Sequence, residues 1–152
     1  MPEPFAFDST SPRFELPFLF VGQAQKEAWV NEAHARIDVL LHCSVEGELT
    51  EPPLTPADGE SWIVATPATG LWAGKDGMIA ARQADNWLFV SPREGMRIFD
   101  KSTRQERLFT SAWQTPNVPV EPTGGSVVDS EARAVLAELI SALRVSGVFP
   151  EI

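Results

Sequence analysis

Residues 78–90 read MIAARQADNWLFV, and the reading of this stretch decides the fold. Met78–Arg82 and Asn86–Val90 are short runs of apolar and β-favouring residues, and Gln83-Ala84-Asp85-Asn86 supplies turn chemistry between them. Within Trp87-Leu88-Phe89-Val90, alternate side chains must point to opposite faces of a strand. Both sets are apolar, so one face belongs to a core and the other to a helix or another subunit.

The pattern recurs on both sides. Ser61–Thr66, Met96–Asp100 and Arg107–Thr110 are further strand-like runs, and the segments ATPATG, AGKDG, SPREG and DKSTRQ carry turn-forming residues between strands. Strands recurring every ~10 residues predict an antiparallel meander curled into a small barrel or sandwich. Upstream, Ala24, Ala28, Ala33, Ile37, Leu40 and Leu41 repeat at the spacing of one helical face, which predicts a helix from about Gly22 to Cys43. Glu46-Gly47-Glu48 ends that period, and LTEPPLTPADGE at 49–60 is a turn-rich connection.

Beyond the strands, TPNVPVEPTGGSVV at 115–128 reads as a linker, and a second helix is expected over 129–147. Asp129 or Ser130 can cap it, Glu131 sits near the positive end of its dipole, and Gly147 is placed to end it with Pro150 just beyond. Ala132, Leu136, Leu139 and Leu143 follow the 4-3-4 rhythm of a helical seam, and Val135 and Ile140 widen it. Such a helix either folds back on its own barrel or enters a self-assembling bundle, since a short helix gains most of its stability from packing. At the other end, Phe5, Phe7, Phe14 and Phe18 sit in a stretch without clear period and cannot all remain in water. They form an arm that docks on its own domain or on a neighbour. The expected class is α+β: an extended aromatic arm (1–20), a helix plus β-rich domain (21–114), a linker (115–128) and a C-terminal oligomerisation helix (129–147).

Composition narrows the function classes. The 152 residues hold 43% hydrophobic and 22% charged residues, an ordinary globular balance that can bury a core without metal or disulfide. With 12 basic against 21 acidic residues the net charge is −9, and no basic run is present to displace counterions from a phosphate backbone, so direct nucleic-acid binding is not expected. An anionic membrane surface would repel the chain, no apolar run approaches spanning length, and MPEPFAFDSTSPRFELPF lacks a signal-peptide pattern, so assembly in the cytoplasm is expected. The single cysteine, Cys43, reads as a small hydrophobe.

No chemistry-bearing constellation emerges. His34, Asp38 and His42 recur at i, i+4, i+8, but two turns of drift spread them and no further ligand stands nearby, so a surface stripe is expected and no metal. In Gly70–Gly77 the Gly-Lys pair is followed by Asp76 where a phosphate loop needs a hydroxyl residue, so a turn between strands is expected. Ser91, Ser102 and Ser111 lack a nucleophile-elbow context, and no pair of carboxylates is singled out. The expectation is a protein that is not an enzyme and binds no cofactor. The tryptophans are core fillers or, with Trp62 and Trp72 foremost, a stacking platform for host surface glycan.

LPFLFVGQAQKE at 16–27, with Asn31-Glu32-Ala33 and Ile37-Asp38, resembles the opening signature of a family of unknown-function domains encoded in prophages and gene transfer agents of alphaproteobacteria. Pro56-Ala57-Asp58-Gly59, the run from Ala65 to Gly74, Ile79-Ala80, Trp87, Pro92 with Gly95, and Ser111-Ala112-Trp113 are similar to its second block. The resemblance covers about Leu16 to Trp113. It implies a structural protein on the surface of a phage-like particle, in tail-fibre-like proteins or gene-transfer-agent head spikes. Long members continue into receptor-binding regions and this chain does not, which points to a short adaptor such as a head spike base, with itself, a capsid protein and a spike or tail fibre protein as partners. A cyclic homo-oligomer is the expected solution to a repeated heterologous contact, and a capsid vertex would favour a pentamer.

Overall fold

The computed structural model describes residues 16, 17, 19, 22, 24, 26–83, 85–120, 123–125 and 129–150. Helix α1 (Lys26–Leu40) is followed by eight strands: β1 (Ser44–Val45), β2 (Glu48–Leu49), β3 (Ser61–Val64), β4 (Ile79–Gln83), β5 (Asn86–Val90), β6 (Arg97–Asp100), β7 (Gln105–Phe109) and β8 (Trp113–Gln114). Helix α2 (Ser130–Val145) closes the described chain, and a single 3-10 turn (Gly70–Trp72) lies between β3 and β4. The class is α+β, with two four-stranded mixed sheets between the helices.

One sheet runs β2-β3-β4-β5 and the other β1-β6-β7-β8. The first contains the expected antiparallel meander β3-β4-β5 and the second the expected hairpin β6-β7, to which β8 adds without having been foreseen; each also holds one parallel strand that no period announces. Both parallel strands come from the hexapeptide Ser44–Leu49. Its first half pairs with β6, where Phe99 N donates to Cys43 O at 3.0 Å and Lys101 N to Val45 O at 2.9 Å. Its second half pairs with β3, where Ile63 N donates to Gly47 O at 2.9 Å. The segment read as a break in the helical period is thus the crossing point between the sheets.

Alternation along the strands builds two clusters. Val45, Ile63, Ile79, Val90, Met96 and Ile98 meet between the sheets, with Val39 and Leu40 of α1, Phe109 and Trp113 packed against them. Val45, Ile63, Ile79, Val90 and Ile98 are each at most 2% exposed, and burial of such a side chain stabilises by about 1.5–3 kcal/mol. The opposite face of β3, β4 and β5 carries Trp62, Val64, Ala80, Trp87 and Phe89, which gather around Trp72. Trp72 meets Trp87 edge-on at 5.0 Å and Trp62 at 6.3 Å. The second apolar face of β5 is therefore covered by the chain's own segment around Trp72, where the sequence suggested a helix or another subunit. Asp76 secures that cover, its carboxylate accepting from Ala68 N at 2.9 Å, and this bond lowers the Asp76 pKa.

A charged network joins the sheets. The fully buried Asp100 carboxylate accepts from Ser102 N at 2.8 Å, Ser102 Oγ at 2.6 Å and Arg107 Nε at 2.8 Å. Burial by itself would raise the Asp100 pKa; the Ser102 and Arg107 hydrogen bonds and the Arg107 charge outweigh it and hold the group below its ordinary value. Cys43 has no such partner, and burial pushes its thiol up to about 11, so it behaves as a hydrophobe.

Candidate assembly site

Helix α2 is built much as its sequence reads. Asp129 is the N-cap, its Oδ1 accepting from Ala132 N at 2.9 Å, and Glu131 lies in the first turn. Gly147 ends the helix with φ +75, and a Cβ there would meet the Phe99 ring at 3.3 Å, so both its backbone and its packing require glycine. Gly147 O accepts from Glu106 N, which ties the end of α2 to β7. The helix is thereby fixed at its C-terminal end.

The apolar surface of α2 is only partly used by its own domain. Ile140 is buried and Leu143 half-buried, and Phe149 returns beneath them. Val135, Leu136 and Leu139 are 63%, 49% and 53% exposed, and Ala132 is exposed with them. The seam residues therefore divide: Ile140 and Leu143 anchor the helix, while Ala132, Val135, Leu136 and Leu139 form an uncovered apolar face. An apolar hollow of about 190 Å³ opens beside that face, between Leu136, Leu139, Ile140 and Val120.

A second opening lies at the other helix. Val39 and Leu40 pack into the core at the C-terminal end of α1, but α1 contains no buried residue. A slot of about 780 Å³ separates it from the β4–β5 hairpin, lined by Asn31, His34, Ala35 and Asp38 on one side and Gln83, Asn86, Trp87 and Leu88 on the other. Arg36 reaches from α1 to β5, donating from Nη1 to Phe89 O at 3.3 Å. Sequence reasoning missed this site: the expected apolar stripe does not reveal a slot between the helix and the β4–β5 hairpin.

The remaining candidates fall elsewhere. Phe5, Phe7, Phe14 and Phe18 lie outside the described residues. Trp62 and Trp72 are 6% and 0% exposed and their rings pack within the tryptophan cluster, so neither offers a face to a sugar; as a glycan platform this pair is corrected by its burial. His42 lies beyond the end of α1 with φ 49, so it does not continue the stripe of His34 and Asp38. Among the described residues no three His, Cys, Asp or Glu side chains are placed to share a metal ion, and no helix is long and apolar enough to cross a membrane.

Residues 30–114 match the model of a family described as "Protein of unknown function (DUF2793)". That span runs from within α1 through β8, and α2 lies outside it. No curated protein matches the chain.

Proposed function

The chain belongs to this family over more than half its length, and from that premise we propose that it is a structural protein of a phage-like particle or gene transfer agent, an oligomeric adaptor that forms the base of a head spike and links capsid to fibre. The family description carries no activity, so the reading draws on the signature residues for the particle and on α2 for the assembly.

The observation that carries it is the uncovered face of α2. Val135, Leu136 and Leu139 are large apolar side chains, about half exposed or more, contiguous on one helix fixed to its domain at its far end. A contiguous apolar patch held on a rigid element marks an association surface. Copies that join through this face and a different surface of the next copy make a heterologous contact, which gives a ring where the rotation between copies closes. A five-fold ring would match a capsid vertex, with α2 at the contacts between copies. No catalytic role is assigned.

Sedimentation equilibrium of the full chain, with and without the paired substitution Leu136→Asp/Leu139→Asp, tests the assembly. A discrete oligomer that the pair reduces to monomer is the expected result, and a monomer for the unaltered chain at high concentration would overturn it. A reconstruction of particles carrying this chain tests its place, with density at the base of a head spike as the expected outcome.

A further inference from the structure

Besides the face of α2, a second apolar projection stands on the loops of the other sheet. Leu54 is wholly exposed and Leu71 largely so. Leu54 lies between β2 and β3, and Leu71 between β3 and β4. Their loops run side by side: Thr69 N donates to Thr50 O at 2.7 Å, and a Cβ on Gly70 would lie 3.7 Å from the Pro52 ring. Prolines at 52, 53 and 56 fix φ on both sides of Leu54, so the loop holds this side chain out in water with little freedom left to lose.

The two surfaces are unlike, and they complement each other in form and charge. α2 offers a hollow of about 190 Å³ walled by Val120, Leu136, Leu139, Ile140 and Phe149. An apolar cavity of about 150 Å³ is enough to hold a ring the size of benzene, so this hollow admits one leucine side chain. Arg133 borders the hollow and Glu51 stands three residues before Leu54, so opposite charges come together when the leucine is seated. Within one copy the two do not meet, since Leu54 is wholly exposed. Pairing α2 with the α2 of a second copy would cover the helix face and leave Leu54 in water, whereas the unlike pairing covers both.

We propose that Leu54 of one copy seats in the α2 hollow of the next; because the contact joins copies, this rests on the oligomeric reading above. The proline-held loop is the second, different surface that such a contact needs. Each copy gives a leucine at one surface and a hollow at another, a contact between unlike surfaces that suits a ring.

Two measurements on the full chain test it. Leu54→Asp should weaken self-association in sedimentation by about tenfold or more, the loss of one buried leucine, with the melting curve by circular dichroism unchanged. Thr55→Cys copies are also mixed with Val120→Cys copies and treated with a short bis-maleimide, which leaves Leu54 and α2 intact and makes every 55–120 link a link between copies. Peptide mapping should find such links in the mixture, and Leu54→Asp added to the Thr55→Cys copies should lower their yield about tenfold. An oligomer that Leu54→Asp leaves as strong as before, or one that gives no 55–120 links, overturns the seating of Leu54 and leaves the oligomer standing. A monomer for the unaltered chain overturns both.

Discussion

Arg107 of β7 donates from Nη1 to the carboxylate of Glu48 in β2 at 2.6 Å, so a strand of one sheet is tied to a strand of the other. The same guanidinium neutralises Asp100, which is fully buried. These two contacts differ in environment and therefore in weight. Arg107→Ala leaves an uncompensated buried carboxylate and should cost about 3–5 kcal/mol. Glu48→Gln disturbs only the more exposed end, with the Glu48 side chain 39% exposed, and should cost about 1 kcal/mol or less. Urea denaturation of the two variants checks this; equal costs would mean that the inter-sheet tie outweighs charge compensation at Asp100.

The depressed pKa of Asp100 gives the fold an acid limit. A carboxylate held below its unfolded value of about 3.9 contributes stability that is fully present above that pH. That contribution is lost as pH falls through the lower, folded pKa. Asp100→Asn should therefore be less stable than the unaltered chain at pH 7, and the gap should narrow once pH drops below about 4. Denaturant midpoints across that range decide it; a gap that stays constant to the acid end would show that ionisation of Asp100 contributes nothing.

On α2, neighbouring positions should separate association from folding. Leu139 is 53% exposed and Ile140 is buried. Leu139→Asp should leave the melting temperature of the dilute chain nearly unchanged, since surface substitutions stay within about 0.5 kcal/mol. It should weaken self-association by about 2 kcal/mol or more, the scale of a central interface residue. Ile140→Ala should instead destabilise the fold by about 2–4 kcal/mol. Paired thermal melts and sedimentation runs are the readout, and a melting temperature that drops equally for both would mean that Leu139 serves its own domain.

Much of the architecture was legible because it rests on local signals. Asn86–Val90 is a strand with the bounds its sequence suggests, and Asp129 caps α2 as one of the two residues able to do so. Ser44–Val45 and Glu48–Leu49 were not legible: two residues are too few to show a period, and their parallel pairing depends on strands far along the chain. α1 was read longer than it is, since Gly22 and Ala24 continue the spacing of its face, but the helix begins at Lys26. The face itself was read only in part: Leu40 packs on the core as expected, but Ile37 and Leu41 are exposed and Val39, outside the expected face, packs there too. The uncovered half of the α2 seam was legible as pattern, whereas the slot at β5 depends on how far a helix stands from an edge. Amino-acid spacing does not encode that distance.

The indoles of the buried Trp72 and the half-buried Trp113 should respond in opposite directions to loss of their N–H. Trp72 is fully buried and its Nε1 has no hydrogen-bond partner among the described residues, while Trp113 Nε1 donates to Gly77 O at 3.0 Å. Replacing either by phenylalanine would mix this difference with a cavity, so the test needs an isostere, 3-benzothienyl-alanine, which keeps the shape and removes the donor. At Trp113 the substitution should cost about 1 kcal/mol, the net worth of a hydrogen bond. At Trp72 it should stabilise by about 1 kcal/mol or more, because a buried donor left unsatisfied carries its full desolvation cost. Denaturation of the two singly substituted proteins gives the comparison. Loss of stability at both positions would mean that the Trp72 N–H is held by an acceptor after all, and that the tight tryptophan cluster is organised by hydrogen bonding as well as by ring packing.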